Sequence, residues 1–340
     1  MSKTKRWLAL DIGGANLKIA DGVGFAATEP FALWRQPHAL ADSLHSLISA
    51  APSADQLAIT MTGELADCYR TKNDGVIAIL QAAEQAAAGR PTQIYRTDGS
   101  FATLADALSR PEAVAASNWH ALAQYAGRLM KHGVGLLIDI GSTTTDLVGF
   151  LDGSPDIRAA TDTDRLASGE LLYTGVLRTP VATVVSQLPY RGLMCSVARE
   201  LFATMQDVYI TLSDLEEERD NHHTADGRAA TREASHDRLA RMICADRNTF
   251  DSADAAVLAE FAARSQRGAM LAAARRVIDR LPQPPQTVVI SGRGEFVALQ
   301  VANEAGSAAN IIALSETLGQ SVSVCAPAHA LAVLAREMNP

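Results

Sequence analysis

The chain has 340 residues, a formal net charge of −8, and 48% hydrophobic against 20% charged residues, enough length for two domains that each bury a core. Acidic balance and scattered arginines exclude the basic face that nucleic acid requires, and no apolar run approaches the roughly 20 residues of a membrane span. Cys68, Cys195, Cys244 and Cys325 are widely spaced without a CxxC pair, and MSKTKR leads directly into a strand with no signal peptide, so a soluble protein with free thiols in a reducing cytoplasm is expected.

Leu8 to Gly22, LALDIGGANLKIADG, reads as strand, tight turn and strand, closed by Asp21-Gly22. Asp11 ends the first strand, Gly13, Gly14 and Asn16 form the turn, and Lys18 begins the return. Val23 to Trp34 adds a third strand, and Ala39 to Ala50 has helical spacing with Leu40, Leu44, Leu47 and Ile48 on one face. Leu57 to Met61 is a strand that delivers Thr62 and Glu64 to a sheet edge, where ligands of α/β sheets collect. Asn73 to Ala88 is a helix capped by Asn73 or Asp74, and Gln93 to Arg96 is a strand. Ser117 opens an alanine-rich helix to about Lys131 that ends on His132-Gly133. In it Asn118 is expected to cap, Trp119 to pack and His120 to face solvent.

Leu136 to Phe150, LLIDIGSTTTDLVGF, repeats the first stretch: Asp139 answers Asp11, Gly141 answers Gly13, Asp146 stands where Lys18 stood, and Asp152-Gly153 answers Asp21-Gly22. Ser142, Thr143 and Thr144 offer N–H and hydroxyl donors converging on one point, which suits a phosphate oxygen. Asp139 and Asp146 beside that point make sense with a cation between carboxylate and phosphate, and magnesium is the expected ion. Two copies this far apart predict a duplicated domain whose hairpin loops face each other across a cleft. Neither copy matches GxxxxGK[ST] or a strand-GxGxxG-helix unit.

Ser168 to Pro180, SGELLYTGVLRTP, is expected to form a loop and short helix on the cleft wall, with Thr183 to Leu188 a strand-like run. Arg199 to Asp207 is expected to be helical, and Asp214 to Arg219 a solvated helix face. Asn221 to Arg228 is a polar loop whose His222 and His223 lack metal-ligand spacing. Arg232 to Ala245 and Ser252 to Leu281 are helices, and Leu281 to Pro285 is a stiff break. Thr287 to Ile290 is a strand running into Ser291-Gly292-Arg293-Gly294-Glu295, whose glycines permit close approach to a ligand. Ser321 to Val324 is a last strand, and Pro327 begins a final helix over Ala328 to Met338.

DIGGANLK, DIGSTTTD and VISGRGEF occur in the order of the two phosphate motifs and the adenosine motif of the actin, sugar-kinase and Hsp70 superfamily, which the chain resembles. More narrowly it resembles the hydantoinase A/oxoprolinase-like branch, and within it proteins of the tetrahydromethanopterin-linked one-carbon transfer pathway. TMTGEL, SNW, GELLYTGVLRTPV, FATMQDVY and TADGRAATRE carry this likeness across nearly the whole chain. The resemblance implies an α/β fold of two ribonuclease-H-like domains around a central cleft. The first would be 1–132 with the carboxyl-terminal helix 327–340 packed back onto it, and the second 133–326 with a helical insertion. It implies a cytoplasmic transferase that condenses an aminomethylfuran diphosphate with a glutamyl-tyramine phenol and releases pyrophosphate on the way to a methanofuran-type carrier. ATP is left open as a cofactor, as is a homo-oligomer. An ATP-dependent small-molecule kinase and a non-enzymatic nucleotide-responsive partner protein are the alternatives.

On that reading Gly13, Gly14, Asn16, Lys18, Gly141, Ser142, Thr143, Thr144, Gly292 and Gly294 bind phosphate, and Asp11, Asp139 and Asp146 hold magnesium, mostly through water. The attacking phenol, with an ordinary pKa near 10, benefits from a base, for which Glu64 and Glu170 are candidates. Asp139 could serve a kinase in that role. Asn118, Tyr173 and Arg178 are expected to position the acceptor.

Overall fold

The computed structural model describes residues 5–306 and 310–338, so residues 1–4 of the expected first domain and the last two positions of 327–340 lie outside it. In the amino-terminal half the elements are β1 (Trp7–Gly13), β2 (Asn16–Ala20), β3 (Ala26–Pro30), α1 (Leu40–Ala50), β4 (Gln56–Thr62), α2 (Lys72–Ala87), β5 (Thr92–Tyr95), β6 (Phe101–Ala102), α3 (Leu104–Ser109) and α4 (Asn118–Ala126). They build a mixed sheet in the order β3-β2-β1-β4-β5-β6, with β1 antiparallel to β2 and parallel to β4.

The second half repeats the arrangement. It runs β7 (Val134–Ile140), β8 (Thr145–Leu151), β9 (Ser154–Pro155), α5 (Asp162–Ser168), β10 (Leu171–Leu172), α6 (Val181–Val184), β11 (Gln187–Tyr190), β12 (Leu193–Ser196), α7 (Met205–Leu212), α8 (Arg232–Arg241), α9 (Ser252–Ile278), β13 (Thr287–Ser291), α10 (Glu295–Glu304), β14 (Asn310–Ala313), α11 (Leu314–Leu318), α12 (Gln320–Val324) and α13 (Ala326–Met338). Its sheet has the order β10-β8-β7-β13-β14, and β7 is antiparallel to β8 and parallel to β13, the relation of β1 to β2 and β4. These are two ribonuclease-H-like units, each begun by a hairpin.

Strand alternation decides where the layers go. Leu8, Leu10 and Ile12 of β1 face an outer core with Leu40, Leu44, Val76 and Ile79 of α1 and α2, whereas Trp7 and Ala9 face inward onto Ala121 of α4 and Leu331 and Ala332 of α13. In β7, Leu136, Ile138 and Ile140 face an outer core with α7, α9 and α10, while Leu137 faces inward with Trp119, Leu122 and Ala330. Helices α4 and α13 therefore form a layer between the two sheets. Their alanines permit close approach on both sides.

Burial on both sides of α4 corrects the expectation for His120, which is 3% exposed instead of solvated. Its Nδ1 lies 2.9 Å from the Tyr95 hydroxyl, and burial pushes its pKa down to about 4. The helix stops at Ala126, short of Lys131, and passes through a 3₁₀ turn. Thr71, neither Asn73 nor Asp74, caps α2: its hydroxyl accepts the Asp74 N–H, and its extended backbone leaves the side chain free to do so.

Other boundaries move for tertiary reasons. The expected helix Arg199–Asp207 is displaced to α7, because Thr204 and Asp207 form a capping box that starts it there. Thr183–Leu188 divides between α6 and β11, and the expected cleft-wall segment 168–180 contributes the short strand β10, paired to β8. Asp214–Arg219 is not helical; Glu218 bridges to Ala230 and sits 3.5 Å from Arg293. Ser321–Val324 lies in α12, and the strand at that end of the sheet is instead β14, held by parallel pairing to β13. The TADGRAATRE segment is an ion-pair network: Asp226 accepts Arg228, Arg238 and Arg241.

Arg238 is fully buried, and its guanidinium also pairs with the buried Asp207 at 2.7 Å. Arg238→Met leaves Asp207 uncompensated and should cost about 3–5 kcal/mol, read as a lower denaturant midpoint.

Candidate functional site

The alternation that sends Trp7 and Ala9 inward also sends Asp11 inward, and the same parity turns Asp139 inward after Leu137. Across each hairpin the ladder pairs Asp11 with Lys18 and Asp139 with Asp146, so all four side chains lie on the inner faces. The parallel neighbours also correspond, Thr60 beside Asp11 and Ser291 beside Asp139. Asp11 and Asp139 line one cavity of about 130 Å³ together with Gly13, Gly14, Asn16, Lys18, Asn118, Gly141, Ser142, Thr143, Thr144, Asp146, Tyr173 and Arg178. The hairpins thus face each other.

Inside the cavity the charges are strongly coupled to burial. Asp11 is 2% exposed; burial pushes its carboxyl up, against the pull of Lys18, whose ammonium is 3.9 Å away. Its Oδ2 is 3.5 Å from the Asn118 amide, and its Oδ1 is buried with no partner. Burial and the neighbouring Asp146 push Asp139 up to about 6, although the Ser291 hydroxyl donates to its Oδ1 at 2.6 Å. Asp146 is paired with the buried Arg165 at 2.7 Å. Sequence reasoning missed that arginine, which also lines the cavity. The basic residue in an otherwise polar stretch, TDTDRLAS, was the only signal for it.

Asn118 does not serve as the expected helix cap. The N-cap position is Ser117, without a side-chain cap bond, and the Asn118 amide turns to Asp11. The segment after β10 clasps the second loop: Val176 N–H donates to Gly141 O, Leu177 and Arg178 N–H donate to Ser142 O, and Thr145 Oγ1 donates to Thr174 O. Gly175 makes this approach sterically feasible, because a Cβ there would come within 2.5 Å of Gly141 O. At the cavity mouth Tyr173 is 65% exposed, and the Arg178 guanidinium lies 4.6 Å over the Trp34 ring.

Four candidates lie outside this cavity. Glu64 is buried behind Thr62, its Oε2 has no partner, and burial pushes its pKa up to about 7. Glu170 is turned to Arg280, 3.4 Å away. Gly292 and Gly294 serve packing against the second hairpin: a Cβ on Gly292 would come within 2.4 Å of Ile140 O and 2.8 Å of Asp139 Oδ1, and one on Gly294 within 2.4 Å of the Ile140 side chain. Beside them is a larger cavity of about 740 Å³ lined by Arg293, Glu295, Phe296 and Glu218. Among the described residues no three His, Cys, Asp or Glu side chains are placed to hold a metal ion together, and no helix is long and apolar enough to cross a membrane.

Residues 55–338 match the hydantoinase/oxoprolinase family. The chain belongs to that family. A relative from Methanocaldococcus jannaschii, 34% identical over 332 residues and covering 96% of each chain, is named (4-{4-[2-(gamma-L-glutamylamino)ethyl]phenoxymethyl}furan-2-yl)methanamine synthase. A protein of the same name from Methanococcus vannielii is 28% identical, covering 60% of this chain and 92% of its own. The type IV pilus PilM-PilN complex contains a chain that is 12% identical, with a TM-score of 0.51 and coverage of 99% and 100%, a likeness of fold alone.

Asp139 yields a stability test. Its folded pKa of about 6 exceeds the roughly 3.9 of an unfolded aspartate, so the folded state binds the extra proton and stability falls as pH rises through that window. Asp139→Asn should melt no lower than wild type, with its advantage growing from about pH 4 to about pH 6 and constant above, as thermal scans across pH would read.

Proposed function

We propose that the chain is a transferase of methanofuran-type cofactor biosynthesis, joining an aminomethylfuran diphosphate to the phenol of a tyramine derivative and releasing pyrophosphate. The observation that carries this reading is the Methanocaldococcus relative, whose named product contains a furan joined to a phenol through a phenoxymethyl ether and which matches almost the whole chain. The cavity is chemically suited to it. A glycine-rich loop, a hydroxyl-rich loop, a lysine and inward carboxylates surround a space that can take a diphosphate. We assign the amino-terminal unit to 1–132 with 327–340, and the second to 133–326.

Ionisation of a furanylmethyl diphosphate is eased because the ring oxygen shares the positive charge, so the protein's main task is to stabilise the departing pyrophosphate. Lys18 and the donors of Ser142, Thr143 and Thr144 perform it from the two loops. The partnerless Oδ1 of Asp11 and the buried carboxylate of Asp139 fit a magnesium ion held largely through water. When bound, that ion offsets phosphate charge. Tyr173 and Arg178 at the mouth orient the acceptor. Of the two glutamates, Glu64 is the better candidate base, since its Oε2 has no partner and it lies two residues from the cavity-lining Thr62, whereas Glu170 is engaged with Arg280.

A second reading, an ATP-dependent kinase, draws on the larger cavity beside Arg293. ATP binding by calorimetry with ADP formed on a small hydroxylated metabolite would favour it. Incubation with aminomethylfuran diphosphate and tyramine or glutamyl-tyramine, followed by pyrophosphate release, tests the first reading; release without an ether product would overturn it.

Lys18→Met should raise KM for the diphosphate roughly 10- to 100-fold, the equivalent of one hydrogen bond to a charged group. Glu64→Gln should flatten the rise of kcat/KM through about pH 7 while Glu170→Gln leaves it in place. A wild-type profile in Glu64→Gln would move the base elsewhere.

A further inference from the structure

Arg165 is the largest charged group at the site without an assigned part in the chemistry. Its side chain is 1% exposed, yet it lines the cavity between the hairpins. Three contacts fix it. Nη1 donates to Asp146 Oδ1 at 2.7 Å, Nη2 donates to the Glu170 carbonyl at 3.1 Å, and the guanidinium carbon lies 3.8 Å from the centroid of the Trp119 ring. Nε is buried with no partner. A guanidinium carries five donors, and the two bonds to Asp146 and the Glu170 carbonyl leave three for a ligand in the cavity that the side chain lines.

The charge balance points the same way. The cavity is lined by four carboxylates, Asp11, Asp139, Asp146 and Asp162, against three cations, Lys18, Arg165 and Arg178. A diphosphate entering such a space meets net repulsion unless fixed cations face it. Lys18 belongs to the first hairpin and Arg178 sits over Trp34 at the mouth. Arg165 is the cation behind the second hairpin. A planar fork is better matched than an ammonium to adjacent phosphate oxygens.

Resting on the diphosphate reading above, we propose that Arg165 is a second phosphate-gripping cation, set on the Trp119 ring and anchored by Asp146, so that Lys18 from the first hairpin and Arg165 from α5 behind the second hold the leaving group together. Asp146 then serves as the anchor of that arginine and not as a magnesium ligand. No bond is made or broken by Arg165; it binds the departing oxygens and lowers their charge.

The alternative is that Arg165 only neutralises Asp146. A charge-neutral double variant, Asp146→Asn with Arg165→Gln, separates the two, because it removes both charges together and avoids leaving Asp146 buried and unpaired. Magnesium pyrophosphate is the probe, titrated calorimetrically into the full-length protein, so turnover is not the only readout. Wild type should bind, and the double variant should bind at least about tenfold more weakly, as expected for the loss of a charge-assisted contact. Equal binding by a folded double variant overturns the role of Arg165 and leaves the diphosphate reading standing. No binding by wild type overturns both. Arg165→Lys keeps the charge but loses the fork and serves if the double variant does not fold: about three- to tenfold weaker binding at an unchanged melting temperature is expected, and unchanged binding overturns the proposal. With substrates, the same variants should raise KM for the diphosphate more than for the phenol; an equal rise in both would also count against it.

Discussion

The structure depends on keeping two aspartates, Asp11 and Asp139, ionisable while they are 2% and 9% exposed. Taking a carboxylate out of water is unfavourable by several kcal/mol unless a partner compensates. Each half supplies a different one. In the first, Lys18 stands directly across the hairpin from Asp11; in the second, Asp139 accepts from the Ser291 hydroxyl, and Arg165 of α5 pairs with the cross-strand carboxylate Asp146. The loops, the clasp at 174–178 and the inter-sheet helices all serve to hold these charges at fixed separations.

The helix layer between the sheets is the second constraint. Helices α4 and α13 touch both inner faces, so the chain's last helix and a helix from its middle are packed together against β1 and β7. Alanine is frequent there for a geometric reason: a larger side chain on either helix would push the sheets apart and separate Asp11 from Asp139. Asn118 begins α4 within reach of Asp11, and Trp119, the next residue, carries the guanidinium of Arg165 on its ring. One helical turn therefore touches the carboxylate of one hairpin and the counter-cation of the other. Any change in the angle between the sheets would be transmitted directly to the charge distribution in the cavity.

Much of this was legible in the sequence because strand alternation is a local property. The apolar-Asp-Ile-Gly pattern occurs twice, and a repeat of that kind specifies both the hairpin and the side of the sheet to which each aspartate turns. Position along helices was less legible. His120 looks like the polar side of an alanine helix, and only the presence of sheets on both flanks shows that α4 has no solvent face of the usual width. Caps shifted by up to three residues where several hydroxyls and acids competed, as at Thr71. The strand β14 was missed because its four residues gain their pairing from β13, a partner separated from it in the chain by the whole of α10. Gly292 and Gly294 have a packing reason that the sequence could not show: a Cβ on either would collide with Ile140 of the second hairpin. Arg165 was illegible for another reason, since a buried arginine is recognisable only through the acid and the ring that surround it.

The unequal hairpins carry information about chemistry. In a strict duplicate, Lys18 would recur at position 146; instead the chain has reversed the charge there and recruited Arg165 from the following helix to restore it. Counting ionised groups, the first hairpin with Asp11 and Lys18 is neutral, whereas Asp139, Asp146 and Arg165 leave one negative charge on the second. That charge sits on Asp139, the acid whose burial and acidic neighbour push it up to about 6. A cation bound near it would remove the repulsion from Asp146 and restore the ionised form, so proton release and cation uptake at Asp139 are linked. In the first hairpin Lys18 already faces the carboxylate, yet burial still pushes Asp11 up. The two halves thus balance their buried charge differently: in one a carboxylate faces Lys18 across the hairpin, and in the other two carboxylates face each other with Arg165 paired to the second.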